Sequence, residues 1–523
     1  MGFQADRMTV SVDAAAGVTN LRVKALSATR TVAISAVWNL LGRAGPIVVA
    51  MVATPALVRE LGVARWGVFT IALSLVGIFG IFDFGLGRAL IRSIAERIGA
   101  GEEHSASTLV ITGIVALAGF GTVGGAFAAF GAHFWVRHWL RIDPALQEEV
   151  LHCLYVLAFS APFVIMTAAM WSVVAAYQKF RIANLISIPL QTFYYLGPLL
   201  VLRVWDSLVG VMLMLVLCRL VSAAIFWWLC RRIMPSLRGA RPVLRELGPL
   251  LRMGTWMSIS NIAFPMLMYS DRFIIASVLT AELTAYYTTP FDVVIRMTLV
   301  PIAIMTSAYP AMAVSFRSDP TNTANLFRHS LLTVVTILFP ACLLVASFNT
   351  ELMTAWLGAS FAANSAPVLR WLVVGILINA MDGVVAGLID AIGKPDVNAK
   401  ISVLELVLSI PVLLTLLAWF GIEGAAITWV LRCCLDFVLR LFILARFYPP
   451  VRTTIALVMP IVMTGVLLLI LPIPGGRTML RVGTDLIILL LYLAVVVRFS
   501  LTREERARIW ILLGPRGVLR REG

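Results

Sequence analysis

Apolar residues along this chain come in blocks of about 20, the length at which a helix crosses the hydrocarbon core of a bilayer. Stretches 109–130, 150–174, 208–230 and 331–348 show the pattern most plainly. Fourteen such segments can be drawn, at about 32–58, 66–91, 108–131, 150–175, 182–202, 207–230, 250–270, 284–315, 330–348, 367–391, 398–420, 423–445, 454–473 and 482–500. The eighth is long and holds Pro290, Pro301 and Pro310, so a kink or break is expected there. The expected fold is all-α: a polytopic membrane protein of about fourteen transmembrane helices, two six-helix lobes plus two C-terminal helices.

Composition agrees, with 60% hydrophobic residues and a mean hydropathy of +0.94. No soluble fold could bury so many apolar helices. The longest connections, about 132–149, 231–249 and 349–366, are near the upper limit for ordinary loops. That argues against an enzyme with a large catalytic loop. No GxxxxGK[ST] pattern occurs, which argues against an ATP-driven pump. Residues 1–30 lack the apolar core of a secretory signal and read as a tail. The six cysteines fall in apolar segments without metal-ligand spacing and read as small buried hydrophobes; no metal or cofactor is called for.

Charge adds an orientation. An even number of spans puts both termini on one side. The tails and even-numbered connections hold 27 basic residues, the odd-numbered connections 8. The positive-inside rule therefore places both termini in the cytoplasm. The net charge of +15 is spread over many short loops, so it reads as a topological signal and not as a nucleic-acid surface.

The chain also repeats itself at an offset near 215 residues. The segment from Ala176 through Lys179 to Asn184 sits against that from Ala391 through Lys394 to Ala399. Gly210 to Arg219 sits against Gly424 to Arg432, and Leu61 to Phe69 against Leu279 to Tyr287. A unit of six spans gives two halves of the same orientation, an architecture of secondary transporters. The domain boundaries expected are a tail 1–31, an N-terminal lobe 32–230, a linker 231–249, a C-terminal lobe 250–447, an appended helix pair 448–500 and a basic tail 501–523.

Polar groups inside the spans need a reason, because a central charge costs about 2.5–3.5 kcal/mol on insertion scales. The basic ones are Arg43, Arg88, Arg219, Arg296, Arg370, Arg432 and Arg440. Asp292 and Arg296 are four apart, as are Arg432, Asp436 and Arg440, which predicts ion pairs within a helix. Arg370 and Arg88 lie near span ends, where snorkelling explains them. Arg43, one turn from Asn39, and Arg219 are central and lack a local acid. They either line a polar cavity suited to an anion or pair across helices. The acids in apolar context are Asp83, Asp292, Asp382, Asp390, Glu405 and Asp436. Such a carboxylate can carry a proton or help bind Na⁺. Asp382 and Glu405, without a basic residue one turn away, lead the ion-coupling candidates, which include Asp83 and Asp292.

Three blocks carry a family resemblance. Trp38-Asn-Leu-Leu-Gly-Arg43 through Leu61-Gly-Val-Ala-Arg-Trp-Gly67 to Asp83-Phe-Gly-Leu-Gly-Arg88 resembles the first two helices of bacterial polysaccharide and O-antigen flippases. Asp271-Arg-Phe-Ile-Ile275 followed by Tyr286-Tyr-Thr-Thr-Pro-Phe-Asp292 is the second block. Ile392-Gly-Lys-Pro-Asp396 to Glu405, then Gly421-Ile-Glu-Gly-Ala-Ala426, is the third. These flippases belong to the multidrug/oligosaccharidyl-lipid/polysaccharide exporter superfamily, and the resemblance covers about residues 32–450. It implies two six-helix lobes around a central cavity, alternating access, and translocation of an isoprenoid-diphosphate-linked oligosaccharide to the outer leaflet, driven by an ion gradient (H⁺ or Na⁺) or the membrane potential. The setting implied is the bacterial cytoplasmic membrane, with polysaccharide polymerase and glycosyltransferases as neighbours.

The cationic residues matching the family's substrate contacts are Arg43, Arg88, Arg272 and Arg296, although the topology places Arg272 at the outer interface. Asn39 and Arg219 complete the substrate-binding set. Trp66, Tyr194, Tyr195, Tyr286 and Tyr287 fit the interfacial aromatic belt first and sugar stacking second. Two other readings stay open: an ion-coupled drug exporter, which would favour acids over arginines in its cavity, and a membrane-embedded glycosyltransferase or polymerase, which would need catalytic residues on an outer loop such as 132–149.

Overall fold

A computed structural model describes residues 45–471 and 478–500, with the backbone alone for residues 252–261, 264, 478, 499 and 500. Among the described residues every regular element is helical. Helix α1 occupies Gly45–Asp83. It is followed by α2 (Leu86–Gly99), α3 (Glu103–Phe134), α4 (Gln147–Ala176), α5 (Phe180–Leu202), α6 (Leu208–Ile233), α7 (Leu244–Val278) and α8 (Ala281–Val294). Then come α9 (Leu299–Ser318), α10 (Pro320–Ser347), the short α11 (Asn349–Leu357), α12 (Ala359–Ala391), α13 (Pro395–Phe420), α14 (Ile422–Phe447), α15 (Arg452–Ile470) and α16 (Thr478–Ser500).

Eleven of these runs are long and apolar enough to cross a membrane. Helix α1 has 39 residues, about 58 Å if straight, roughly twice the hydrocarbon thickness. Gly62 within it takes φ +73, a left-handed conformation that breaks the run into two spans. Helices α7 and α14 are also of spanning length, but each carries several charges: Asp271 and Arg272 on one, Arg432, Asp436 and Arg440 on the other. Counting α1 twice and adding α7 and α14, the fourteen expected segments all have a helix. The eighth segment is indeed broken: a 3₁₀ turn, Ile295–Thr298, separates α8 from α9. Pro301 sits in the first turn of α9, where its missing N–H deprives no carbonyl.

The chain divides into two compact units. Of the described residues, the first comprises 45–57, 85–126 and 156–254; the second comprises 58–84, 127–155, 255–471 and 478–500.

In the first unit close helix approach is made by small residues. A Cβ on Gly121 or Gly125 of α3 would run into the backbone at Ala158, Ala161 and Pro162 of α4. This is the small-xxx-small contact that lets membrane helices pack by van der Waals attraction without a hydrophobic force between them. Ser172 of α4 donates to the Gly87 carbonyl of α2 at 2.8 Å.

In the second unit α12 is the hub, with Val373, Leu377, Ala380, Met381, Val384, Val385 and Leu388 fully buried. Gly375 leaves room for the Trp429 ring of α14. Trp429 meets Phe291 edge-on at 5.3 Å, and Phe291 stacks on Tyr287 at 5.7 Å. This aromatic row rests against α12 and closes the apolar side of a buried polar network.

Candidate functional site

The network lies in the second unit, where α7, α8, α12, α13 and α14 bring their few charges together. Arg432 is the pivot. Its Nε lies 2.7 Å from the Glu405 carboxylate of α13, and its Nη1 is 3.7 Å from Asp271 of α7. Nη1 also donates to the Leu267 carbonyl at 3.0 Å. Asp271 accepts from the Tyr287 hydroxyl at 3.1 Å. Two turns along α14, Arg440 pairs with Asp382 of α12 and lies 3.3 Å from Asp436. Asp436 in turn interacts with Glu405, joining the two halves. Asp382 Oδ1, Asp436 Oδ1 and Arg440 Nε are buried and unpartnered. Two guanidiniums thus face four carboxylates, and every member is buried except Arg432, whose side chain is 10% exposed. In a low-dielectric interior such an imbalance is costly unless something mobile offsets it.

Next to it, Arg272 pairs with Asp292 and donates to Ser74 of α1 at 3.0 Å, with its guanidinium over the rings of Tyr269 and Phe291. A ladder of hydroxyls continues from there. Thr288 bonds Thr70 at 3.1 Å, and the Trp66 indole N–H donates to Thr289 at 2.8 Å.

Several expectations change. Arg272 does not lie in a connection after the seventh span; it lies within α7 and is 4% exposed. Asp292 pairs with Arg272 and not with Arg296, which is exposed and reaches only the Asp292 backbone carbonyl at 3.2 Å. Packing brought a charge from another helix closer than the one four residues away. Arg432 likewise leaves the α14 ladder for Asp271 and Glu405, while Arg440 and Asp436 keep theirs. Asp382 and Glu405, without partners in sequence, have them in space. Trp66, Tyr286 and Tyr287 are buried side chains and not an interfacial belt. Arg370 does not simply snorkel: it donates to the Ile470 and Leu471 carbonyls at the end of α15. Asp390 accepts from Asn398 at 2.8 Å. Asp83 lies in the 3₁₀ turn ending α1, and Arg88 is exposed on α2. Asn39 and Arg43 lie outside the described residues.

In the first unit Arg219 is set differently. It sits mid-helix in α6, 8% exposed, and donates to Ser160 Oγ of α4 at 2.7 Å and to the Tyr194 hydroxyl of α5. Its guanidinium also lies over the Tyr194 ring. It has no carboxylate partner among the described residues. The repeat aligns Arg219 with Arg432. One copy is neutralised twice over, and the other is held by neutral oxygens alone. Sequence offered Arg432 a local acid in Asp436 and offered Arg219 none, but it could not show that Arg432 would take Asp271 and Glu405 from other helices.

The geometry has parallels. The profile of a family described as "Polysaccharide biosynthesis protein" matches residues 32–316. A "Putative O-antigen transporter" of Shigella flexneri is 28% identical over 79% of this chain and 97% of its own length. A "Probable low-salt glycan biosynthesis flippase Agl15" of Haloferax volcanii is 24% identical over 87% of this chain and 94% of its own. Among solved structures, an inward-facing multidrug resistance MATE family transporter of the MOP superfamily superposes with a TM-score of 0.65 at 16% identity, covering 79% of this chain and 99% of that one. The lipid II flippase MurJ, in an inward closed conformation, superposes with a TM-score of 0.62 at 11% identity, covering 89% and 99%. These two show the fold.

Proposed function

The chain belongs to the polysaccharide biosynthesis protein family, and from that premise we propose that it is a flippase: it moves an isoprenoid-diphosphate-linked oligosaccharide from the cytoplasmic to the outer leaflet of a bacterial cytoplasmic membrane. It does so as a transporter, not as an enzyme. The observation that carries the anionic substrate is Arg219, a buried cation whose partners are two hydroxyls. A guanidinium binds phosphate through paired donors and stays charged at any relevant pH. Where the other deeply buried arginines among the described residues each have acids, a cation left for an anion is a substrate contact. A drug exporter taking cations would have the fold but no use for it.

Translocation proceeds by alternating access, with both termini in the cytoplasm as the basic-residue count requires. The acid surplus around Arg432 and Arg440 supports ion coupling. Were all six groups ionised, the cluster would carry two negative charges, which H⁺ or Na⁺ would offset. A polar route removes the barrier that hydrocarbon sets for each unsatisfied polar group, several kcal/mol or about that. Polymerase and glycosyltransferases of the same route are its neighbours.

The test uses full-length protein in liposomes carrying a lipid-diphosphate-linked oligosaccharide, with leaflet exposure read by an impermeant probe. Wild type is expected to expose the glycan, and Arg219→Ala to slow this at least tenfold, with Arg219→Lys between. No protein-dependent crossing under proton, sodium or voltage gradients refutes the flippase. Crossing unchanged in Arg219→Ala removes that residue from the substrate path.

A further inference from the structure

Away from the buried network, one end of the second unit holds a cavity of about 370 Å³. It is lined by Asn349 and Thr350 at the start of α11, Arg370, Trp371 and Val374 of α12, Glu423 of α14 and Leu469 of α15, with Pro367 and Ile470 at its edge. Small-molecule sites run from about 300 to 1,000 Å³ and combine an apolar lining with a few placed polar groups. This one has that make-up. Val374 and Leu469 are buried and form an apolar floor, and Trp371 adds a wide flat ring.

Apart from the Thr350 hydroxyl, which donates to Asn349 Oδ1 at 2.9 Å, the polar groups do not satisfy one another. Arg370 and Glu423 line the same small space, yet no ion pair joins them. Arg370 spends Nη2 on the two carbonyls closing α15. Its Nη1 and Nε remain for another acceptor. Glu423 stands in the first turn of α14, where the helix dipole favours it, and makes no other polar contact among the described residues. The nearby acid Glu351 is already taken by Arg481. Trp371 has no partner for its indole N–H among the described residues.

The cavity therefore offers donors (Arg370, Trp371, Asn349) and acceptors (Glu423, Thr350) around an apolar floor, with formal charges that cancel. A phosphate would meet Glu423 as a like charge. A ligand whose hydroxyls both donate and accept, on a ring with apolar C–H faces, meets every group with its complement. The cavity lies where α10 and α15 end and α11 and α14 begin, the end that the charge-based orientation puts outside.

We propose that this cavity is a sugar subsite that receives part of the oligosaccharide on the outer side of the membrane. The proposal rests on the flippase reading for which sugar arrives there, but the pocket's chemistry can be tested apart from transport. Its size suits one or two sugar rings, so it would hold a segment of the glycan while the diphosphate stays elsewhere. Glu423 would accept from two neighbouring hydroxyls, Arg370 would donate to a ring or hydroxyl oxygen, and Trp371 would cover a C–H face.

The experiment is saturation-transfer NMR on full-length protein in phosphatidylglycerol nanodiscs. The probes are methyl glycosides of glucose, galactose, rhamnose, N-acetylglucosamine and glucuronic acid. At least one is expected to bind saturably. Glu423→Gln and Trp371→Phe, both mild in shape, are each expected to weaken it at least tenfold, while Asp396→Asn at the opposite end of α13 leaves it unchanged. No saturable binding by wild type, or equal binding in both pocket variants, overturns the proposal. So does Glu423-dependent retention of phosphatidylethanolamine that abolishes glycoside binding in mixed-lipid discs, since a lipid headgroup is then the occupant. Liposome translocation by the same wild-type preparation is scored separately. Glycoside binding without translocation upholds the sugar site and refutes the flippase; translocation without glycoside binding does the reverse.

Discussion

Arg440→Met is expected to destabilise the protein far more than Asp436→Asn, although the two residues face each other. Arg440 is 6% exposed and is the partner of both Asp382 and Asp436. At the 3.3 Å separation from Asp436 and an effective dielectric of about 20, one such pair has a gross attraction of about 5 kcal/mol. Much of this is offset by desolvation, and removing one partner of a buried pair typically costs about 3–5 kcal/mol. Loss of Arg440 strands two carboxylates, each of which already has one buried oxygen without a partner. The upper half of that range is therefore expected, about a thousandfold or more in the unfolding equilibrium. Asp436→Asn instead relieves the acid surplus and leaves Arg440 with Asp382. Its cost should stay within about 1 kcal/mol, that of a modest hydrogen-bond change. Reversible unfolding of the purified protein by titrated SDS in mixed micelles, followed by tryptophan fluorescence, reads both. The combined variant Arg440→Met with Asp382→Asn should recover part of the loss, giving a coupling energy above about 1 kcal/mol. Equal costs for Arg440→Met and Asp436→Asn would refute the charge ledger and with it the ion-coupling reading.

Other expectations follow from single contacts. Glu405→Gln removes the acid nearest Arg432, and liposome translocation should lose most of its dependence on an imposed proton gradient; an unchanged gradient dependence excludes Glu405 as the coupling group. Gly424→Ala would drive a Cβ into the Leu416 carbonyl across the α13–α14 turn, so an overpacking cost of about 1–3 kcal/mol and a lower melting temperature in a thermal aggregation assay are expected. Trp66→Phe leaves ring packing with Phe69 largely intact but removes the bond to Thr289, costing about 1 kcal/mol in the same SDS titration.

The membrane class was readable from the chain because it depends on local quantities. A run of about 20 apolar residues must become a helix in lipid, whatever surrounds it, since no water is there to satisfy its backbone. Even the break near Pro301 was visible. Helix α14 was legible as a span despite Arg432, Asp436 and Arg440, because apolar residues flank each of them on both sides, whereas the expected span for α7 stopped at 270, just before the adjacent Asp271 and Arg272. The turn at Gly62 was expected only as a short connection; the structure assigns it to one left-handed glycine.

Partner choice was another matter. The spacing of Asp292 and Arg296 pointed to a pair within one helix, yet Asp292 took Arg272, twenty residues back and on α7. Asp382 found Arg440 fifty-eight residues on, and Glu405 found Arg432. Sequence alone determined that these charges lie in the membrane and must be neutralised or used. Tertiary packing decided which were neutralised, leaving Arg219 with hydroxyls and its repeat counterpart Arg432 with two acids. The reason is physical: a low dielectric makes neutralisation of a buried charge compulsory, but the partner is whichever group packing brings within about 4 Å, and distance along the chain does not enter.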